Sequence, residues 1–274
     1  MCDTKQYRCV NCRKGHSALY KTYGPSVLKL TKCDKCKGIV DKYIEYDPVI
    51  VMIDLVLMSK EAQRHVLYNT GFESYWKLFI ILMMLETYGV WHSDSLFNLL
   101  VDTICDFSNR MDNQSNYTTK VAEYWKVKCW EYKQENRGDN NDLFIWEKDF
   151  YIQFLATFSG ILVFLLILHC IMSTVKSKFM NKEVAVSLPR VVQAFSLANM
   201  SAVFSLPTLV WGADAARPLH YILVFVYSFK VFTNVFTVLY ECPTPVTIVT
   251  LLLCNCAKYV TSFHAILLFR GQIL

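Results

Sequence analysis

The sequence that decides the N-terminal fold is Cys9-Val10-Asn11-Cys12, followed twenty residues later by Cys33-Asp34-Lys35-Cys36. A Cys-X-X-Cys turn points two sulfurs to one side of a short loop, and two such turns complete the tetrahedron of thiolates that Zn²⁺ prefers. Glycines follow both turns, at Gly15 and Gly38, where a knuckle commonly needs positive φ. The spacing therefore predicts a small zinc ribbon of short β hairpins over residues 1–48. Its metal ligands are Cys9, Cys12, Cys33 and Cys36, and the ion is structural Zn²⁺.

Two alternatives for these cysteines stay open in the sequence. His16 is placed to replace one ligand, and two disulfides would use the same thiols if this segment faced an oxidising compartment. The chain has eleven cysteines, an odd number, so a fully paired disulfide framework is excluded. A shell of four thiolates leaves no position for an activated water, so we expect the metal to fold the domain and not to catalyse.

The composition beyond the cysteines indicates a membrane protein. Hydrophobic residues make up 54% of the chain and charged residues only 19%, against roughly 45–50% and about 25% in soluble domains. The excess is uneven, because residues 1–48 are polar and basic while the C-terminal half holds long apolar stretches. This distribution argues against an ordinary soluble enzyme and for a soluble N-terminal piece attached to membrane helices.

A helix is predicted directly after the ribbon. Asp47 is a good N-cap, and Pro48 suits the first helical position. The first half of the segment 49–70 is apolar except for Asp54, and its second half is polar. About ten apolar residues are too few to cross a bilayer, so we interpret 49–70 as an amphipathic, interfacial helix.

Apolar stretches in the rest of the chain predict an α-helical polytopic bundle of about five spans. The clearest, at 150–172, has 23 residues and no formal charge, which is enough to cross a bilayer. The predicted spans are 76–92, 150–172, 191–211, 219–241 and 246–269.

The charge of the connecting segments predicts their orientation. Residues 1–48 carry ten Lys/Arg against five Asp/Glu, residues 173–190 four against one, and residues 93–149 seven against eleven. The positive-inside rule then places the N-terminus and the basic loop 173–190 in the cytosol and the loop 93–149 in the lumen. Two sequons in that loop, at Asn113 and Asn116, agree with a lumenal position and are candidate N-glycosylation sites.

Ionisable residues within the predicted spans are a second candidate site. Glu86, Lys230 and Lys258 each lie in an apolar stretch, where a charge is costly unless it faces a partner or a cavity. One interpretation is a headgroup pocket or lipid path; the other is simple pairing, for example of Glu86 with a lysine, or snorkelling of the lysines. No phosphate-binding loop, nucleophile elbow or paired His/Asp motif is present, so no catalytic residue is predicted.

The residues after the cysteines carry a resemblance. Lys42-Tyr43-Ile44-Glu45-Tyr46-Asp47-Pro48-Val49-Ile50, and then Arg64-His65-Val66-Leu67-Tyr68-Asn69, resemble the homology domain of the ARV family over about 60–65 residues. The resemblance implies a non-enzymatic, multi-span protein of the endoplasmic reticulum that supports sterol distribution and glycosylphosphatidylinositol (GPI) anchor synthesis. It implies that the four cysteines bind zinc. It also implies a signature surface formed by Tyr43, Glu45, Tyr46, Asp47, Pro48, Arg64 and His65.

The expected function is that of a scaffold or lipid-access factor for the early GPI glycosyltransferase steps. Its expected partners are sterols, phosphatidylinositol-derived GPI intermediates and the GPI N-acetylglucosaminyltransferase complex. Direct sterol or lipid transport through the bundle is one alternative. A second is a membrane lipid transferase that uses Glu86, His65 or Asp54. A third, a ribbon that binds nucleic acid or ubiquitin, is weakened by the acidic residues Asp34 and Asp41 and by the membrane tether, so no nucleic-acid partner is expected.

Overall fold

The computed structural model of the chain describes residues 7–24, 27–92, 95–114, 129, 143–180, 186–207 and 217–273. The chain divides into two compact units. The first comprises Met1–Phe79, His169–Ser201 and Phe229–Leu251, and the second comprises Ile80–Leu168, Ala202–Ser228 and Leu252–Leu274.

The first unit begins with two antiparallel hairpins. Strand β1 (Tyr7–Arg8) pairs with β2 (Gly15–His16), and β3 (Tyr20–Gly24) pairs with β4 (Val27–Leu30). So few paired residues cannot hold a domain together, and the small apolar core consists of Cys9, Leu19, Cys33 and Val40. Two of these four core residues are predicted metal ligands, so the hairpin fold is confirmed with the cysteines at its centre.

Helix α1 (Pro48–Val56) begins where the sequence predicts. The side chain of Asp47 accepts a hydrogen bond from the Val49 N–H at 2.9 Å, and Pro48 occupies the first helical position. This cap satisfies one of the N–H groups that every helix start leaves without a partner inside the helix.

The prediction of one helix over 49–70 is wrong, because the helix breaks after Val56. Met58 has φ 60°, a left-handed conformation that ends an α-helix. Helix α2 (Lys60–Arg64) restarts with Ser59 as its N-cap and continues as a π-helical turn (His65–Asn69). A capping serine directly after the apolar run is the sequence signal for the restart.

The remaining described elements are helical. They are α3 (Tyr75–Trp91), α4 (Leu96–Gln114), α5 (Leu143–Met180), α6 (Leu188–Asn199) with a 3₁₀ extension (Met200–Ser205), α7 (Arg217–Tyr240) and α8 (Thr244–Ile273). Among the described residues, three segments are long and apolar enough to cross a membrane: Glu147–Val175, Leu219–Tyr240 and Thr244–Arg270.

These segments match the predicted spans 150–172, 219–241 and 246–269, whereas the other two spans are not confirmed. Helix α3, over the predicted span 76–92, has 17 residues and is therefore about 26 Å long, slightly less than the roughly 30 Å of a bilayer's hydrocarbon core. In the predicted span 191–211, the α-helix ends at Asn199 and tightens into the 3₁₀ turn.

Both predicted loops contain helix. Helix α4 lies inside the predicted loop 93–149, and α5 extends beyond the span 150–172 at both ends, into the segment 173–190. Polar composition marks residues outside hydrocarbon, but it does not mark residues outside a helix. Helix α4 is amphipathic, and its buried residues Phe97, Val101 and Cys105 recur every four positions.

The second unit has an apolar core of its own, to which α4 contributes. Its buried members are Val90, Phe97, Val101, Cys105, Cys129, Ala156, Phe263, Ala265 and Ile266. Cys105 and Cys129 form a disulfide bond across 24 residues of sequence. No spacing motif in the sequence marks these two cysteines as a pair.

This disulfide predicts a change in thiol count on reduction. Denatured chain treated with a maleimide-polyethylene glycol should carry two more adducts after reduction than before, because only Cys105 and Cys129 are paired among the described cysteines. A mobility shift on a denaturing gel measures the difference. The Cys105→Ser/Cys129→Ser variant serves as the control and should gain none; an equal count before and after reduction in the wild type would contradict the bond.

Candidate metal centre and the network behind it

Four cysteine sulfurs meet at one point in the first unit. The Sγ atoms of Cys9, Cys12, Cys33 and Cys36 all lie within 4.8 Å of one another. Cys9 and Cys36 are 3.8 Å apart and Cys12 and Cys33 are 3.4 Å apart, whereas a disulfide holds its sulfurs at about 2.05 Å. A tetrahedron with metal–sulfur bonds of about 2.3 Å separates its sulfurs by about 3.8 Å. The set therefore fits a tetrathiolate metal site and not two disulfides.

His16 lies beside this set without completing it. Its Nε2 is 3.3 Å from the Cys33 Sγ, the distance of a hydrogen bond to sulfur. Among the described residues, the cluster of mutually close ligand atoms contains the four cysteines and not His16. The histidine is thus placed to orient a ligand sulfur, as partners behind a metal ligand commonly do.

The surroundings of Cys33 and Cys9 shift the pKa values of these two thiols in opposite directions. Burial raises the pKa of Cys33, but the backbone N–H groups of Cys36 and Lys35 and the ring of His16 outweigh it and lower that pKa to about 5. Burial raises the pKa of Cys9 to about 12. Cys33 is therefore a thiolate at neutral pH, and Cys9 needs a bound cation to ionise.

The backbone at each cysteine pair repeats one turn. The Arg13 N–H donates to the Cys9 carbonyl at 3.0 Å, and the Lys37 N–H donates to the Cys33 carbonyl at 2.9 Å. Arg13 has φ 69° and Lys37 has φ 61°, so the left-handed position is the residue directly after the second cysteine.

The expectation of positive φ at Gly15 and Gly38 is wrong, because no described glycine has positive φ. Gly38 has a different requirement. A Cβ at this position would lie 3.3 Å from the Asn11 side chain and 3.8 Å from the Cys36 sulfur, so its small size lets the two knuckles approach each other.

Arg64 connects helix α2 to the first metal-binding turn, Cys9–Cys12 (the first knuckle). Its guanidinium donates to the carbonyls of Val10 and Asn11, the two residues between the paired cysteines. The side chain is buried, and burial lowers its pKa. The loop that positions Cys9 and Cys12 is thus held by a residue more than fifty positions away in the sequence.

Asp41 is the centre of a buried polar network. Its carboxylate is fully buried and accepts a hydrogen bond from the Tyr43 N–H at 3.0 Å and one from Asn69 Nδ2 at 2.6 Å. The Nδ1 of His65 lies 2.7 Å from the same carboxylate. Asn69 also exchanges two hydrogen bonds of 2.9 Å with the backbone of Arg8 in strand β1. The network joins the ribbon, the loop after it and the π-helical turn.

The predicted signature surface is therefore only partly a surface. Tyr43, Arg64 and His65 are buried, and each bonds within the first unit. Four other members of the set reach solvent to differing degrees: Glu45, Tyr46, Asp47 and Pro48. The buried members of this set, Tyr43, Arg64 and His65, stabilise the domain and do not form part of its surface.

Helix α1 turns its carboxylate inward and its apolar side chains outward. Tyr43 donates its hydroxyl hydrogen to Asp54 at 2.7 Å, which explains the lone acid in the apolar run. Six apolar side chains of this helix and its end are more than two fifths exposed: Val49, Ile50, Met52, Ile53, Val56 and Leu57. A patch of this kind marks a contact with a membrane or with another protein.

One of the predicted polar pairs within the apolar helices is present. In the second unit, Lys258 of α8 forms a salt bridge with Glu86 of α3, as the pairing interpretation expects. Lys230 in α7 is exposed. Of the two sequon asparagines, Asn113 lies in the last turn of α4 and Asn116 lies outside the described residues.

A four-cysteine domain of short hairpins, followed in the chain by helices that include three candidate membrane spans, defines the class of this protein. The chain belongs to the Arv1-like family, whose model matches residues 8–237.

Several relatives bear the same name. The chain is 40% identical to human Protein ARV1 over 109 residues, which are 39% of this chain and 40% of the human protein. It is 34% identical to Protein ARV 2 of Arabidopsis thaliana over 29% of this chain and 38% of the plant protein. It is 42% identical to Protein ARV1 of Candida albicans over 22% of this chain and 21% of that protein. The matches thus span at most about two fifths of these relatives, and no solved structure matches the chain.

The network makes a prediction about stability. Asp41→Ala should lower the free energy of unfolding by about 2–4 kcal/mol, because it leaves the buried His65 and Asn69 without their acceptor. Denaturant unfolding of the detergent-solubilised chain measures the loss. Glu61→Ala is the control: it removes the partly exposed pair with Lys42 and should cost less than about 1 kcal/mol. Equal losses in the two variants would contradict a central role for Asp41.

Proposed function

We propose that this protein is a membrane protein of the endoplasmic reticulum that supports intracellular lipid and sterol distribution and GPI-anchor biosynthesis. In this proposal its zinc-bearing domain acts at the cytosolic leaflet as a non-enzymatic scaffold or lipid-access factor for the early GPI glycosyltransferase steps. Its partners are sterols, phosphatidylinositol-derived GPI intermediates and the GPI N-acetylglucosaminyltransferase complex. Membership in the Arv1-like family supports the proposal.

The observation that carries the proposal is the exposed apolar face of α1 beside a candidate span. Within the first unit, the Asn234 side chain donates to the Met58 carbonyl at 3.5 Å, and Asn234 lies six residues before the end of the apolar segment Leu219–Tyr240. If that segment crosses the bilayer, the end of α1 lies at interfacial depth. Insertion of six half-exposed apolar side chains would then contribute roughly 5 kcal/mol.

Cysteine chemistry supports the proposed orientation. The four ribbon cysteines form no disulfide, as expected in the reducing cytosol, whereas Cys105 and Cys129 are paired, as expected in the oxidising lumen. The chain would then cross the membrane between residues 36 and 105. Two described apolar helices lie within that interval, and α3 is the longer of them; its 17 residues lie at the short end of spanning lengths, whereas the nine of α1 are too few.

The second hairpin offers the proposed docking surface for the transferase. Its exposed large side chains are Tyr20, Tyr23, Val27 and Leu28. Tyrosines are enriched in protein interfaces, and this patch is distinct from the apolar face of α1. In this proposal helix α1 contacts lipid, and the second hairpin of the ribbon contacts protein.

The first test is GPI-precursor profiling in cells that lack the protein. Wild type should restore the early glucosaminylated intermediates, and Cys33→Ser/Cys36→Ser should not, because two ligands of the proposed Zn²⁺ are lost and the domain unfolds. Cys256→Ser, which removes an exposed cysteine of α8, is the matched control and should rescue fully. The zinc content of the three purified proteins should be about one, zero and one per chain.

Normal precursors in the deleted cells, together with altered sterol distribution, would contradict the scaffold role. That result would favour the second candidate, direct sterol or lipid transport through the helical body. The polar pair Glu86–Lys258 inside apolar helices supports this candidate, since intramembrane ion pairs often line a path for a substrate.

A lipid transferase is the third candidate, and the surroundings of its three groups weigh against it. Asp54 accepts the Tyr43 hydroxyl, His65 bonds Asp41, and Glu86 pairs with Lys258. We expect Glu86→Gln to retain rescue of the GPI precursors at close to the wild-type level, since the proposed role needs no acid at this position. Loss of rescue by a variant that is expressed normally would favour an enzyme.

A further inference from the structure

Arginine side chains in the first unit converge on one concavity. It is lined by Arg8, Arg13 and Arg64 together with Tyr68, Val238 and Glu241. A fourth guanidinium, that of Arg190, lies 5.8 Å from the centre of the Tyr68 ring, and that of Arg8 lies 4.4 Å from it.

The positions around this concavity hold arginine and not lysine. These four are all the arginines of the first unit. The segment 1–48 contains eight lysines and two arginines, and both of its arginines line the concavity whereas no lysine does. Arginine differs from lysine in its planar fork, which matches two oxygens of a phosphate or carboxylate at once.

Neighbouring groups offset most of the positive charge of the four arginines. Arg8 bonds Glu241 at 2.7 Å, which accounts for one charge. The concavity also lies at the C-terminal end of helix α7, where the helix dipole amounts to roughly −0.5 elementary charge. With a metal bound, the four thiolates add a formal charge of about −2 next to Arg64, which bonds the carbonyls between Cys9 and Cys12, so it is hydrogen-bond donors and not net charge that the arginines have to offer a ligand.

The remaining arginines have donors to spare. Arg13 is half-buried and forms no ion pair in the described structure. Arg64 is 8% exposed, and its Nε has no hydrogen-bond partner among the described residues. A buried guanidinium with an unmade hydrogen bond is costly, and an anion bound beside the arginines would supply an acceptor.

The position of the concavity indicates where such an anion would come from. The Tyr68 hydroxyl donates to the carbonyls of Val238 and Leu239 at 3.4 and 3.3 Å, so the arginines surround the end of the candidate span Leu219–Tyr240. In a bilayer, the end of a spanning helix lies at the level of the lipid headgroups. The nearest anions at that depth are lipid phosphates.

We propose that Arg8, Arg13, Arg64 and Arg190 form a binding site for the phosphate of an anionic phospholipid headgroup at the cytosolic leaflet. This inference rests on the membrane placement in the proposed function and adds a ligand class to it. Arg13 and Arg190 approach the phosphate from the solvent side, and Arg64 forms the buried floor. Tyr68 holds the site against the end of helix α7.

Binding of short-chain lipids to the full chain in neutral detergent tests the site. Dihexanoyl phosphatidylinositol should bind wild type, Arg13→Gln should weaken its affinity about tenfold, and Arg13→Gln/Arg190→Gln should weaken it further, since each change removes charge-assisted hydrogen bonds to the phosphate. Lys29→Gln removes an exposed positive charge of the second hairpin and should change the affinity less than about twofold. Zinc content should be unchanged in every variant, which separates loss of the site from loss of the fold.

Three results would overturn the proposal. Equal weakening by Arg13→Gln and Lys29→Gln would indicate diffuse charge attraction without a site. Equal affinity for dihexanoyl phosphatidylcholine would show that the anionic headgroup is not recognised, and equally tight binding of inorganic phosphate would make free phosphate the ligand. These measurements use purified protein, whereas the scaffold role is tested by GPI precursors in cells, so either can fail without the other.

Discussion

The N-terminal part of this structure depends on the hydrogen bonds made to the buried carboxylate of Asp41. An ionised carboxylate in a protein interior costs several kcal/mol unless its oxygens are bonded, and the partners of Asp41 come from the backbone of Tyr43 and from the side chains of His65 and Asn69. The network forms only when the ribbon and the helix after it are assembled together. Arg64 of helix α2 also connects the two parts, because it donates hydrogen bonds to the carbonyls of Val10 and Asn11 in the first metal-binding turn.

The domain therefore combines a small apolar core with a buried polar network, and many apolar side chains of helix α1 remain outside. Helix α1 uses Asp54 as an internal hydrogen-bond acceptor and exposes most of its aliphatic side chains, whereas Val51 packs inside the domain. Such a surface is stable only against lipid or another protein. The arginine cluster lies beside the same apolar segment, at the end of Leu219–Tyr240, so apolar insertion and phosphate binding would act at one membrane surface.

How much the sequence predicts depends on whether a feature is local. The ligands Cys9, Cys12, Cys33 and Cys36, the Asp47 cap and the three long apolar helices follow from spacing and composition within short windows. The bond between Cys105 and Cys129 and the burial of His65 do not, because each is decided by a residue distant in sequence. The break at Met58 does have a local signal, the capping Ser59, but the long apolar run before it favours one continuous helix. The left-handed turns at Arg13 and Lys37 were missed for a different reason: the nearby glycines were the stronger local signal.

The claim that the metal site and the helix after it form one cooperative structure is tested most directly by hydrogen exchange with and without a metal chelator. If Asp41 and Arg64 join the two parts as described, removal of the metal should expose the amides of residues 62–69 to exchange together with those of residues 9–40. If residues 62–69 keep their protection while the ribbon loses its own, the two parts fold independently, and the account given for Asp41 is contradicted.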